Sequence, residues 1–62
     1  MIQSNSIKDL REQTYLSQSR FAAILGIPVS NIAKWEQGVA TPPEYVRKLI
    51  EYRLIQIGLI KR

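Results

Sequence analysis

Apolar residues along this chain recur three and four positions apart, and Gly, Pro or a small polar residue breaks each run. Phe21, Ala22, Ile24 and Leu25 trace the i, i+1, i+3, i+4 stripe of a helix with one buried face, and Ser17 stands ahead of them as a cap. Gly26 falls where a left-handed C-terminal cap belongs, and Ile27 can fold back over the helix that ends there. Pro28 cannot continue that helix but can open the next, and it biases Ile27 toward an extended conformation. The spacing of Ile32, Trp35 and Glu36 predicts an inward face on a helix over about residues 29–36, with Gly38 closing it. Upstream, Ser6 followed three residues later by Asp9 resembles a capping box, and Ile7 and Leu10 share a face, predicting a first helix over about residues 6–14. Thr41-Pro42-Pro43-Glu44 is the strongest start signal, a Thr cap with Pro at the first helical position and Glu three residues after Thr. It predicts a last helix over about residues 42–57, which Gly58 can terminate. No segment alternates with period two over five or more residues, so the fold class is all-α. The expected architecture is a compact domain of four, at most five, helices with residues 1–62 as one unit.

Composition narrows the chemistry. The 62 residues include nine Lys plus Arg and five Asp plus Glu, a formal charge of +4, with no His and no Cys. A single core in so short a chain lies near the lower limit of unaided stability. There is no disulfide framework, no thiolate metal site and no imidazole base or ligand. Five scattered carboxylates without a Gly-rich phosphate loop make no catalytic constellation, so neither an enzyme, a metal, a cofactor nor a small-molecule substrate is expected. Met1 to Ser6 is polar and lacks the basic start and apolar run of a secretory signal. Leu54 to Ile60, interrupted by Gln56 and Gly58, is far too short to span a bilayer. A cytoplasmic protein with no membrane partner is therefore expected. The charge permits a polyanionic partner without requiring one.

Two short helices joined by a Gly-containing turn, over about residues 17–37, suggest an arrangement whose second helix enters the DNA major groove. With Ile32 and Trp35 inward, Ser30, Ala33, Lys34 and Gln37 lie on the opposite side. That stripe is small, polar and lightly charged, which suits close approach to base edges. A merely solvated helix face would look the same, and spacing alone does not decide between them.

The residues themselves carry more. The stretch Leu16-Ser17-Gln18-Ser19-Arg20-Phe21-Ala22-Ala23-Ile24-Leu25-Gly26-Ile27-Pro28-Val29-Ser30-Asn31-Ile32-Ala33-Lys34-Trp35-Glu36-Gln37-Gly38 resembles the helix-turn-helix core of the phage repressor and Cro family, with the pattern S-Q-x-x-F-A, a small-residue turn, then I-x-x-W-E-x-G. The likeness reaches back to Leu10 and Arg11 and forward to Pro42. It implies a sequence-specific DNA-binding domain acting as a dimer on a two-fold operator in double-stranded DNA. By the same resemblance, Gln18 matches a phosphate contact that braces the recognition helix, and the helix N-terminus beside it favours a phosphate. Val29, Ser30, Asn31, Ala33 and Lys34 match positions that face bases or nearby phosphates, with Ser30, Asn31 and Lys34 foremost. Arg20, with Lys8 nearby, is a candidate backbone contact. Ala22 matches a tight helix contact, Ile32 and Trp35 match core positions, and Arg11 with Glu36 matches a partly buried ion pair that is structural. Two departures stand out. Pro28 replaces the usual Ser or Thr at the start of the recognition helix, and the loop Val39-Ala40-Thr41 lacks the basic residues common there. Fewer phosphate contacts imply a smaller salt dependence.

The last helix is apolar on more of its circumference than one packing face needs. Tyr45, Leu49 and Tyr52 form one row and Val46, Ile50, Leu54 and Ile57 another, with Leu59 and Ile60 beyond. One row can close the core while the other meets a second subunit. Val46, Ile50, Leu54 and Ile57 are the candidates for a homodimer interface, which would set two recognition helices one DNA turn apart, about 34–36 Å. Burial of both rows within one monomer, or docking of a different protein, are the alternatives. The leading expectation is a transcriptional repressor. The other is an antitoxin-like interaction module whose last helix holds a toxin-like partner and whose DNA binding is secondary.

Overall fold

The computed structural model describes residues 6–61, the side chain of Ser6 excepted. The chain runs α1 (Ser6–Thr14), α2 (Gln18–Leu25), α3 (Val29–Gln37) and α4 (Glu44–Gln56). There is no strand among the described residues, so the all-α fold expected from the sequence is the fold observed. The expected capping by Ser6 lies outside the described residues.

Local backbone chemistry sets most of the boundaries. The Ser17 hydroxyl accepts the Arg20 N–H at 3.2 Å, satisfying one of the orphan donors of the first turn of α2. Gly26 ends α2 at φ 71°, a left-handed conformation that strains any residue with a β-carbon. Its N–H and that of Ile27 close back on Ala23 O and Ala22 O at 3.3 and 3.1 Å, the paired bonds of a Schellman cap. Gly38 repeats the device at the end of α3, with the Val39 N–H on Lys34 O at 3.0 Å. Pro28 supplies no side-chain cap, but its carbonyl accepts from the Asn31 N–H at 3.0 Å and so starts α3.

Two boundaries differ from the expectation or add to it. Helix α4 starts at Glu44 rather than Pro42, and Thr41 does not cap it. The residue before a proline is pushed out of the α region, so Pro42 cannot be helical ahead of Pro43. Pro43 becomes the cap residue, its carbonyl accepting the N–H groups of Val46 and Arg47 at 3.0 and 3.1 Å. At the other boundary, α1 stops without glycine. Tyr15 takes φ 62° while 94% exposed, and the Thr14 hydroxyl donates to Arg11 O at 2.6 Å and accepts the Leu16 N–H at 3.2 Å.

All four helices contribute to one core. Ile7, Phe21, Ile32 and Leu54 are fully buried, with Leu10, Ala22, Ile50 and Ile60 around them and Trp35, Leu16, Leu25 and Ile27 packed partly buried against the edge. Each fully buried large side chain contributes about 1.5–3 kcal/mol. Ile60 reaches the core because the chain turns at the end of α4, with the Leu59 N–H closing on Leu54 O at 2.9 Å. This packing corrects the expected dimer surface. Ile50 and Leu54 face the other helices and are spent inside the monomer, and Val46 is half-buried against the same core. Of that row Ile57 is exposed, whereas Tyr45, Leu49 and Tyr52 of the other row all face solvent.

The left-handed backbone of Tyr15 costs about 1–2 kcal/mol that its exposed ring does not recover through packing. Tyr15→Gly is expected to raise stability by about 0.5–1 kcal/mol, seen as a rise of a few degrees in the thermal midpoint followed by circular dichroism. A lowered midpoint would show that the ring holds the α1–α2 junction together.

Candidate nucleic-acid interface

Helices α2 and α3 present the candidate surface, and the turn 26–28 between them leaves little freedom in their relative placement. Ile32 is buried beneath α3 and Trp35 half-buried, which fixes the rotation of the helix about its axis. Val29, Ser30, Asn31, Lys34 and Gln37 are then exposed, with Ala33 half-buried among them. The side chains of Ser30, Asn31 and Lys34 make no hydrogen bond or ion pair with the described residues, so their polar groups remain available to a ligand. Within residues 17–38 the basic side chains are Arg20 and Lys34 and the sole carboxylate is Glu36.

That carboxylate is taken out of the surface field by its partners. Glu36 Oε2 accepts from Arg11 Nε at 2.7 Å, and Oε1 accepts from Arg11 Nη2 at 3.1 Å, a bidentate pair. Gln18 Nε2 donates to the same Oε1 at 3.0 Å. The Arg11 Nη1 donates onward to Leu16 O at 2.9 Å. One cluster therefore ties α1, the α1–α2 junction, α2 and the end of α3 together. The Glu36 side chain is 5% exposed and that of Arg11 is 19% exposed. Burial pushes the Glu36 carboxyl up, but hydrogen bonds from Arg11 and Gln18, with the charges of Arg11 and Lys8, outweigh it and hold the group below its ordinary value. The hydrogen bond to Glu36 raises Arg11 further above a range in which it is always charged.

The other sequence-derived residues are distributed around this frame. Gln18 is half-buried and spends one amide hydrogen on Glu36, leaving the second and its carbonyl open. The Arg20 side chain is exposed on the first turn of α2, next to the N-terminal backbone donors of Gln18 and Ser19. Lys8 is exposed on α1 and close enough to Glu36 to lower its pKa. The loop 39–41 is exposed and carries no charge. Leu16 O is the partner that sequence reasoning missed. A backbone carbonyl leaves no mark in residue type, and it is accessible because Tyr15 breaks the helix just ahead of it. Among the described residues no His, Cys, Asp and Glu cluster could hold a metal, and no helix is long and apolar enough to cross a membrane.

A family model described as Helix-turn-helix matches residues 7–52, covering α2, α3 and the turn between them. No curated protein and no solved structure matches the chain.

The cluster gives unequal single-residue effects. Arg11→Ala strands a buried carboxylate and is expected to cost about 3–5 kcal/mol, while Glu36→Gln leaves Arg11 able to turn toward water and costs less. Because the folded pKa of Glu36 is depressed, its contribution is fully present above the ordinary glutamate range and is lost as pH falls through the lower folded value. Urea denaturation at neutral pH and near pH 3 should therefore show a smaller acid loss for Glu36→Gln than for the wild type. Equal losses would mean that the carboxylate is not coupled to folding.

Proposed function

Because the chain belongs to the helix-turn-helix family of DNA-binding transcription regulators typified by phage Cro and repressor proteins, we propose that it is a sequence-specific repressor that reads its operator through α3 in the major groove. The observation that carries this reading is the exposed face of α3, on which the side chains of Ser30, Asn31 and Lys34 have no partner among the described residues while Ile32 beneath them is locked into the core. Asn31 and Lys34 suit hydrogen bonding to purine edges, Ser30 can donate or accept, and Val29 and Ala33 offer apolar contact to a thymine methyl. Gln18, held against Glu36, keeps one amide hydrogen beside the backbone donors that start α2, which together serve a phosphate, and the exposed Arg20 supplies a cation beside them. The protein works as a homodimer on a two-fold site in the cytoplasm, and it represses by occupying a promoter. It performs no catalysis and needs no cofactor.

Pro28 and the uncharged loop 39–41 remove two phosphate contacts that relatives of this type use, so binding leans on few charges. If Arg20 and Lys34 are the cations engaged, the slope of log K against log salt should be about −2 per protomer. A second reading rests on the exposed apolar row of α4, which would serve an antitoxin-like module holding a toxin-like partner with DNA binding secondary.

Fluorescence anisotropy against duplexes drawn from the promoter beside the gene should show one duplex preferred over random DNA by at least roughly tenfold. No preference would overturn the repressor reading. Lys34→Ala should cost about 1–3 kcal/mol at the cognate duplex and relax preference at one base position. A uniform loss across all duplexes would make Lys34 a phosphate contact.

A further inference from the structure

We propose that the exposed face of α4 pairs with the same face of a second copy, the two helices running antiparallel about a two-fold axis that passes between Leu49 and Ile50. This gives surface and direction to the homodimer of the preceding reading. Tyr45, Leu49 and Tyr52 are 68, 60 and 59% exposed, and at about 100° per residue they fall within about 60° of arc. Folding of one chain does not use them, since Ile50 and Leu54 on the opposite side already close the core. Beside Leu49 the apolar surface continues across Val46 to Ile24, Leu25 and Ile27, so the patch extends past a single helix.

The arrangement of residues on this face fits a copy of itself. The row reads Tyr, Leu, Tyr in either direction, and an antiparallel neighbour on the stated axis brings each Tyr52 within about 3 Å of the level of the other Tyr45. Charge selects the direction and the register. Lys48 and Glu51 lie on the same flank of the row, and an antiparallel two-fold brings like flanks together. On this axis each Lys48 stands level with Glu51 of the other copy, twice over. Lys48 has no ion pair among the described residues, and Glu51 receives Arg47 on one oxygen at 3.3 Å and keeps the other open. The opposite flank carries Arg53 and no carboxylate, so parallel helices would give Lys48 a cation-bearing flank instead. An interface centred on one 13-residue helix belongs to the small class of contacts, below the roughly 800 Å² per partner of a standard complex, and a dissociation constant in the micromolar range is expected.

Light scattering and sedimentation of the full chain without DNA, from about 1 to 500 µM, test this. The wild type should pass from monomer to dimer within that range. Leu49→Asp, an exposed position, should keep the helical circular dichroism spectrum and remain monomeric. Lys48→Glu should weaken pairing by about five- to tenfold, and Lys48→Glu combined with Glu51→Lys should restore it. A wild type that stays monomeric throughout, or a Leu49→Asp variant that dimerises normally, overturns the interface. Failure of the charge swap to restore pairing overturns the antiparallel register. Since no operator enters these measurements, a protein that pairs as stated but prefers no duplex would leave this interface standing and remove the repressor reading.

Discussion

A carboxylate sequestered from water governs how the first three helices sit. Glu36 is useful to the fold because it is expensive to bury, and the expense is met by donors arriving from different elements. Arg11 comes from α1, Gln18 from α2, and the guanidinium spends a third donor on the backbone at Leu16. Apolar packing tolerates small sliding, whereas a bidentate guanidinium–carboxylate pair with a third donor accepts little change in angle or distance. The Ile7, Phe21 and Ile32 core supplies attraction between the helices, and the cluster at the end of α3 supplies register.

The same cluster connects fold to function. Gln18 is at once a brace on α3 and, in the proposed reading, the contact for a phosphate at the start of α2. Because its amide is already oriented by Glu36, less side-chain freedom remains to be lost on binding than for an unrestrained glutamine. Removal of Glu36 from the surface field also leaves Arg20 and Lys34 as the unopposed charges of residues 17–38. A domain of modest net charge thus offers a locally positive surface to a polyanion.

Helix order, the turn at Gly26 and the stop at Gly38 were legible in the sequence because glycine and proline act through their own backbone, without help from distant residues. Pro42 was misread for the complementary reason. Its fitness for a helix start depends on the residue after it, and a second proline there moves the start to Glu44. Tyr15 left no signal, since a bulky aromatic is among the last residues expected at φ 62°. On α4 two rows of similar hydrophobicity compete for one core, and the choice between them depends on where α1 and α3 lie. Ile50 and Leu54 won the interior, which turned the expected interface inside out. Which residues of α3 face solvent was readable because Ile32 and Trp35 fix its rotation, while the partner of Gln18 required the tertiary structure.

The location of the Glu36 cluster has a bearing on how such a domain diversifies. It grips α3 at its C-terminal end, seven residues and nearly two turns beyond Val29, whereas the side chains of Ser30 and Asn31 occupy the opposite end with no partner among the described residues. Substitutions at such exposed, unpartnered positions ordinarily change stability by no more than about 0.5 kcal/mol. If α3 reads DNA as proposed, the chain is free to exchange one target sequence for another in single steps, each intermediate remaining folded. A marginal 62-residue scaffold retains evolutionary room because the exposed end proposed to recognise and the end that holds together are opposite ends of one nine-residue helix.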